Sequence, residues 1–166
     1  MEKMWSPWRS IYIDSFIKEK GNGCIFCDVD ESKITDNDSL LVYFGINCFV
    51  IMNLYPYNNG HLMVVPKRHL SDFSLLTFEE KNEVMQLIDD SISALRMTCK
   101  PQGFNVGANI GKAAGAGIDD HLHFHIVPRW NGDTNFMPVL GEVKIISKEL
   151  LKTKTELIAA FKEIKK

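Results

Sequence analysis

One ten-residue segment limits most strongly what this chain can fold into. It spans residues 121–130 and reads His-Leu-His-Phe-His-Ile-Val-Pro-Arg-Trp. Successive side chains of a β-strand point to opposite faces, so a strand here puts His121, His123 and His125 on one face and apolar residues on the other. The apolar face suits a protein core. Three imidazoles on the opposite face indicate chemistry rather than packing.

A glycine-rich run, residues 103–117, leads directly into this strand. It contains five of the chain's eleven glycines. Glycine lets a backbone approach a ligand closely, and backbone amides are good donors to phosphate oxygens. A plain flexible loop is the alternative. The position of the run beside three histidines favours phosphate binding.

Short β-rich runs separated by turn residues predict the fold class. We expect five strands, at residues 40–44, 48–52, 61–66, 104–109 and 121–127. A capping box, Thr77 with Glu80, starts a helix whose apolar residues recur at helical spacing and which ends near Cys99. Apolar residues between Leu150 and Ile164 indicate a C-terminal helix. The class is therefore α+β, a meandering five-stranded antiparallel sheet with a central and a C-terminal helix.

Composition and charge restrict the class of protein further. With 166 residues, 45% hydrophobic and 24% charged, the chain is of ordinary globular composition and has the length of one domain. A formal net charge of −2 gives no reason to expect a nucleic-acid polymer as partner. No apolar run has the length of a membrane span and the N-terminus lacks a signal-peptide pattern, so we expect a cytoplasmic location.

The histidine segment resembles the histidine triad (HIT) family, whose members are nucleotide hydrolases and transferases. The pattern is His-x-His-x-His followed by apolar residues and Pro-Arg, ending here at Arg129. Trp130, the N-terminal Trp5–Arg9 and the tail Asn131–Phe136 look most like the branch of diadenosine tetraphosphate phosphorylases. The resemblance covers most of the chain.

The resemblance implies one HIT-like domain over residues 1–166, assembled as a homodimer. Residues 1–20 are then an N-terminal arm, laid across a partner subunit or packed as a simple extension. Residues 137–166 form a C-terminal extension and helix. A dimer would also cover a sheet edge that otherwise stays exposed.

A reaction on adenine nucleotides follows from the same resemblance. It implies that His123 attacks the α-phosphorus and forms a nucleotidyl-histidine, which water or inorganic phosphate then resolves. His125, on the same face, fits stabilisation of charge on the phosphate oxygens. The attacking nitrogen of His123 must be bare, and a hydrogen bond from its other nitrogen to a backbone carbonyl would ensure this.

Further residues are implied to hold the nucleotide. Asn53 matches a position that holds ribose hydroxyls, and Asn109 one near the scissile phosphate. Family members often carry Ser or Thr just before the first histidine; here Gly117 and Ile118 occur, so a backbone amide or Lys112 is expected to replace the hydroxyl. The remaining predicted contacts are the base-slot residues Phe26, Phe44 and Ile51, together with Gly115 and Trp130.

A cysteine pair early in the chain indicates a second centre. In a reducing compartment Cys24-x-x-Cys27 is a metal half-site or a redox pair rather than a disulfide. Zinc prefers four nitrogen and sulfur ligands, and the resemblance implies that His69 and His121 complete a structural zinc site. His61 is interpreted as a buried histidine satisfied by hydrogen bonds.

Three functions remain open from the sequence. The first is a nucleotidyl transferase or hydrolase acting through His123. The second is a zinc-dependent hydrolase that uses the three triad histidines as metal ligands, with Asp119 or Asp120 as base. The third is a nucleotide-binding adaptor whose catalysis is incidental.

Overall fold

The computed structural model describes residues 24–118, 120–133 and 149–166. Within them, five strands and two helices match the predicted α+β class. The predicted arm at residues 1–20, Asp119 and residues 137–148 of the C-terminal extension lie outside the described residues. The elements are β1 (Leu41–Phe44), β2 (Cys48–Met52), β3 (Leu62–Pro66), α1 (Phe78–Cys99), β4 (Gly103–Gly107), β5 (Phe124–Arg129) and α2 (Leu150–Ile164).

The strands form one sheet in the order β1-β2-β3-β5-β4, with every neighbouring pair antiparallel. The predicted meander holds for β1 to β3 and for the β4–β5 pair, but it is wrong between β3 and β4, which are not neighbours. After β3, α1 carries the chain to the far edge, where β4 forms, and β5 then fills the gap beside β3. The strand of the histidine segment is therefore paired on both sides.

The two faces of the sheet carry two clusters of buried side chains. One face packs against α1 and α2, and burial of a Val or Leu side chain there contributes about 1.5–3 kcal/mol. Its strand residues include Val50, Val64 and Ile126. The opposite face carries a smaller cluster, formed by Phe26, Leu41, Phe49, Met63 and Val65. This second face, which neither α1 nor α2 covers, carries the histidines described below.

The capping box at the start of α1 is confirmed. The backbone N–H of Glu80 donates to Oγ1 of Thr77 at 3.2 Å, and the N–H of Thr77 donates to Oε2 of Glu80 at 2.8 Å. Arg68 also donates to the Glu80 carboxylate, and this contact is the main reason that the pKa of Glu80 is lowered. The helix ends at Cys99, as predicted, because Lys100 adopts a left-handed conformation with φ of 48°.

Helix α2 packs against the first strand through one aromatic stack and one buried lysine. The ring of Phe161 lies 5.3 Å from that of Tyr43 in β1. The ammonium of Lys154 donates to the backbone carbonyls of Asp36 and Ser39, at 2.6 and 2.8 Å. A buried charge needs such partners, because desolvation otherwise disfavours it. Neither helix of the described residues is long and apolar enough to cross a membrane.

Candidate active site

The position of His125 is set by the two neighbours of β5. It pairs with Met63 of β3 and with Gly107 of β4. Residues directly opposite each other in an antiparallel ladder point to the same face. His125 therefore lies on the face opposite α1 and α2, in one row with Met63 and with Ile51 of β2.

The two preceding histidines lie just outside the strand. The predicted strand began at His121, whereas β5 begins at Phe124. The reason is that β3 ends in Pro66, which has no amide hydrogen to continue the ladder. Its carbonyl instead accepts a hydrogen bond from Nε2 of His121 at 2.8 Å. The ring centroids of His123 and His125 are still 4.8 Å apart, so both histidines belong to one site.

His123 holds one ring nitrogen in a hydrogen bond and leaves the other bare. Its Nδ1 lies 2.8 Å from the carbonyl oxygen of His121. A carbonyl can only accept, so Nδ1 carries the hydrogen and Nε2 of the neutral ring has a free lone pair. Burial lowers the pKa of His123, which favours the neutral ring. This is the arrangement that a nucleophile requires.

A hydrogen bond from another buried histidine, His61, sets the tautomer of His125. His61 is fully buried, and its Nδ1 accepts a hydrogen bond from the backbone N–H of Tyr57 at 3.1 Å. Nε2 of His61 therefore carries the hydrogen and donates to Nδ1 of His125 at 3.0 Å. Neutral His125 must then carry its own hydrogen on Nε2. Burial lowers the pKa of His125 to about 4, with a smaller effect of His123, so this N–H is present at neutral pH.

The role of His61 was missed by sequence reasoning, which predicted only its burial and its hydrogen bonds. His61 and His125 are 64 positions apart. No local pattern links two residues at that separation. The useful signal would have been strand order, because β3 and β5 are neighbours in the sheet.

An ion pair beyond the end of β5 holds the loop between β2 and β3. The Asp133 carboxylate accepts hydrogen bonds from Nε and NH2 of Arg129, at 2.6 and 2.8 Å, and from Nδ2 of Asn58 at 2.7 Å. These contacts, the one to Arg129 first, hold the pKa of Asp133 well below its usual range. The carbonyl of Asn58 accepts from the backbone N–H of His61 at 3.2 Å. The ion pair thus steadies the loop that sets the His61 tautomer.

A second group of side chains lies beside the first histidine of the triad. One ligand atom from each of Cys24, Cys27, His69 and His121 lies within 4.8 Å of all the others. Sγ of Cys24 is 3.2 Å from Nδ1 of His121, and Sγ of Cys27 is 3.3 Å from Nδ1 of His69. Because Nε2 of His121 donates to Pro66, its Nδ1 is bare and faces the thiols. Two sulfurs and two imidazole nitrogens fit a tetrahedral metal site.

The three triad imidazoles do not share a metal site with one another. His121 faces the cysteines, Nδ1 of His123 donates to a carbonyl, and Nδ1 of His125 accepts from His61. Across the described ranges, the cysteine–histidine group is the set able to hold a metal ion. Asp120 is exposed. The geometry favours two separate centres, a metal group at His121 and a reaction centre at His123 and His125.

Of the three residues predicted to line a nucleobase slot, two lie near the histidines and one does not. Phe26 is buried, and its ring centroid is 5.4 Å from those of both His121 and His123. Ile51 is half-buried in the same row as His125. Phe44 ends β1, an edge strand of the described sheet, and lies farther from the histidines.

Asn53, the predicted ribose ligand, is buried beside the paired histidines. Its Nδ2 lies 3.4 Å from Nδ1 of His61. Its Oδ1 accepts a hydrogen bond from the backbone N–H of Tyr55 at 2.9 Å. The side chain therefore lies next to His61 and also fixes the local loop.

The predicted phosphate contacts follow β4 in a loop. The strand ends at Gly107, two residues before the predicted end at Asn109, so Asn109 belongs to the loop. Lys112 begins a short 3₁₀ turn and is exposed, as is Gly117. Gly115 has a φ of 86°, a conformation that favours glycine. Trp130 is half-buried and directly follows β5.

Comparison with known proteins agrees with this geometry. Residues 35–132 match the family model of the HIT domain. The chain is 37% identical over 165 residues to the AP-4-A phosphorylase of Mycobacterium tuberculosis strain H37Rv, covering 96% of this chain and 83% of the relative. It is 30% identical over 110 residues to an adenosine 5′-monophosphoramidase of Schizosaccharomyces pombe, covering 65% and 75% of the two chains.

A solved structure shares the fold as well. A Zn-bound histidine triad family protein from Mycobacterium smegmatis superposes with a TM-score of 0.66 at 26% identity, covering 86% of this chain and 96% of that one. The family model matches more than half of this chain, and the matched range contains His121, His123 and His125. The chain therefore belongs to the histidine triad (HIT) family.

Proposed function

We propose that this chain is a nucleotidyl transferase that cleaves dinucleoside polyphosphates at the α-phosphate, with inorganic phosphate as the acceptor. One observation carries the proposal: buried His123 donates from Nδ1 to a carbonyl and presents a bare Nε2. The similarity to a mycobacterial AP-4-A phosphorylase over 96% of the chain supports diadenosine tetraphosphate as substrate and phosphate as acceptor.

The reaction proceeds in two displacements. Nε2 of His123 forms a bond to the α-phosphorus, and the bond from that phosphorus to the bridging oxygen breaks, so ATP leaves from diadenosine tetraphosphate. An oxygen of inorganic phosphate then attacks the nucleotidyl-histidine. The phosphorus–nitrogen bond breaks, ADP forms and His123 recovers its lone pair. With water as acceptor the second product is AMP.

His125 supplies a hydrogen-bond donor to the reacting phosphate. Its Nδ1 is occupied by the N–H of His61, so the donor is its own Nε2–H. A preorganised donor in a site with little water stabilises developing charge without reorganising. The neutral state of His125 also matters, because a charged ring beside His123 would raise the cost of forming a second cation there.

The expected nucleotide contacts surround this centre. Phe26 and Ile51 form the apolar side, and the amide of Asn53, beside His61, suits a ribose hydroxyl. The loop after β4 is expected to supply phosphate donors, with Lys112 or a backbone amide in the role of the missing hydroxyl. These assignments, and those of Phe44, Asn109, Gly115, Gly117 and Trp130, remain predictions.

Product analysis tests the reaction. We expect diadenosine tetraphosphate to give ADP plus ATP only when inorganic phosphate is present, measured by ion-exchange chromatography. AMP plus ATP at any phosphate concentration would indicate hydrolysis instead. Tight AMP binding with no turnover of any dinucleotide would indicate that the chain is a nucleotide-binding adaptor.

Substitution of the histidines tests the assignment of the nucleophile. His123→Ala should lower kcat by about 10³-fold or more and largely keep nucleotide binding, because it removes the attacking atom. His125→Ala should lower kcat by about 10²-fold, because it removes one stabilising donor. Single-turnover trapping should give an acid-labile, alkali-stable adduct in the wild type and none in His123→Ala. A His123→Ala enzyme with near wild-type turnover would refute the assignment.

We also propose a structural zinc ion held by Cys24, Cys27, His69 and His121. Their convergence supports it, as does the zinc-bound relative. Zinc here would fix the Cys24–Cys27 turn to the base of the triad and would take no part in the displacement. Reduced cysteines as ligands suit the predicted cytoplasmic location.

Metal removal separates this role from a catalytic one. Purified protein should contain one zinc per chain, and Cys24→Ser should lose the metal and lower the melting temperature, because metal binding is coupled to folding. The matched variant Cys99→Ser should keep its metal content. Chelated enzyme should retain its rate per folded molecule. Loss of turnover in proportion to zinc removed, from a chain that stays folded, would instead favour the zinc-dependent hydrolase.

We further propose a homodimer. In the described sheet β4 is an edge strand, and Val106 on it is 46% exposed. An unpaired edge with apolar side chains is a surface that proteins usually cover. Sedimentation at micromolar concentration should give twice the chain mass, and a monomer there would contradict the proposal.

A further inference from the structure

Among the described residues, the proposed reaction centre is closed on the β3 side and open on the β4 side. In the row that contains His125, the neighbour on β3 is Met63, which is 7% exposed and packed in the apolar cluster. The neighbour on β4 is Gly107, which is exposed and has no side chain. A bound substrate can therefore extend from His125 over β4 but not over β3.

The open side is a corridor, which we define as the surface over Gly103, Asn105 and Gly107 of β4. These residues alternate along the strand and share the face of His125. A Cβ added at Gly103 or Gly107 would meet no atom within 4 Å, and neither has a positive φ. Neither packing nor backbone conformation in the described part of the chain requires glycine there. Because Gly103 and Gly107 have no side chains, the surface above β4 has space for a ligand.

Polar donors line this corridor. At its head, His125 is 9% exposed and its Nε2–H makes no hydrogen bond with any described residue. Farther along, Oδ1 of Asn105 accepts from NH1 of Arg129 at 2.8 Å. A guanidinium has five N–H donors, and Arg129 uses three of them for Asn105 and Asp133. The Nε2–H of His125 has no protein acceptor among the described residues, so it is available to a ligand oxygen at this point.

We propose that the corridor binds the leaving group, the polyphosphate chain and second nucleoside of a dinucleoside polyphosphate. The inference rests on the proposed function, in which His123 attacks the α-phosphorus. Attacking and leaving atoms lie roughly in line, so the leaving oxygen departs on the side of phosphorus away from His123. The open surface beside His125 is that over β4. Gly107 is then a specificity-determining residue, which admits a large leaving group.

Filling the corridor tests the proposal. Gly107→Val should lower kcat/KM for diadenosine tetraphosphate by about tenfold or more, because the side chain overlaps the leaving group. It should change kcat/KM for adenosine 5′-phosphoramidate, whose leaving group is ammonia, by less than about twofold. Gly107→Ala should give a smaller loss in the same direction. Circular dichroism and the melting temperature show whether Gly107→Val still folds. If it does not, Gly107→Ala provides the test.

The control variant is Met85→Ala, an exposed residue of α1 outside the reaction centre and the β4 edge. It should leave the ratio of the two kcat/KM values unchanged. Equal losses on both substrates in the Gly107 variants would overturn the proposal, because they would indicate a general defect. No loss on the dinucleotide would overturn it as well.

Binding measurements separate this inference from the proposed function. In a His123→Ala background, calorimetry should find diadenosine tetraphosphate bound more tightly than AMP, and Gly107→Val should weaken the dinucleotide about tenfold while sparing AMP. That result supports the corridor even if the wild type turns over no dinucleotide, in which case the proposed function fails alone. Equal affinity for the two ligands before the Gly107 change overturns the corridor.

Discussion

The hydrogen bond from His121 to the carbonyl of Pro66 is the contact on which both centres depend. It occupies Nε2 of His121, so Nδ1 is left bare and faces the sulfur of Cys24 at 3.2 Å. It also fixes the segment whose carbonyl accepts from Nδ1 of His123 at 2.8 Å. One backbone oxygen thereby orients His121 toward the cysteines and fixes the segment that orients His123.

Burial then decides the protonation of the histidines. Desolvation lowers the pKa values of His121, His123 and His125, since the charged imidazolium is disfavoured away from water. Neutral rings have one donor and one acceptor nitrogen, and each of the three has one of them committed to a fixed partner. The remaining nitrogen is thereby left for the role proposed above: metal ligand in His121, nucleophile in His123 and donor in His125. Burial and hydrogen bonding together suit one residue type to three proposed roles.

Strand order gives the reaction centre its asymmetry. Because β5 lies between β3 and β4, His125 has a buried methionine on one side and an exposed glycine on the other. In a meander, β4 would lie next to β3. Its glycines would then separate His125 from Met63 and the apolar cluster on that face. The observed order keeps the apolar side continuous from β1 to β5 and leaves the edge strand as the open surface.

The sequence by itself determined the elements and the residue types. Alternation over residues 121–130, the Thr77–Glu80 capping box and the Cys-x-x-Cys turn are local patterns, because each depends on side chains a few positions apart. The tertiary structure alone decided the strand order, the true start of β5 and the pairing of His61 with His125 across 64 positions. Those features depend on ladder register and on where a proline stops a strand. Register is fixed by contacts between distant segments, which no local pattern contains.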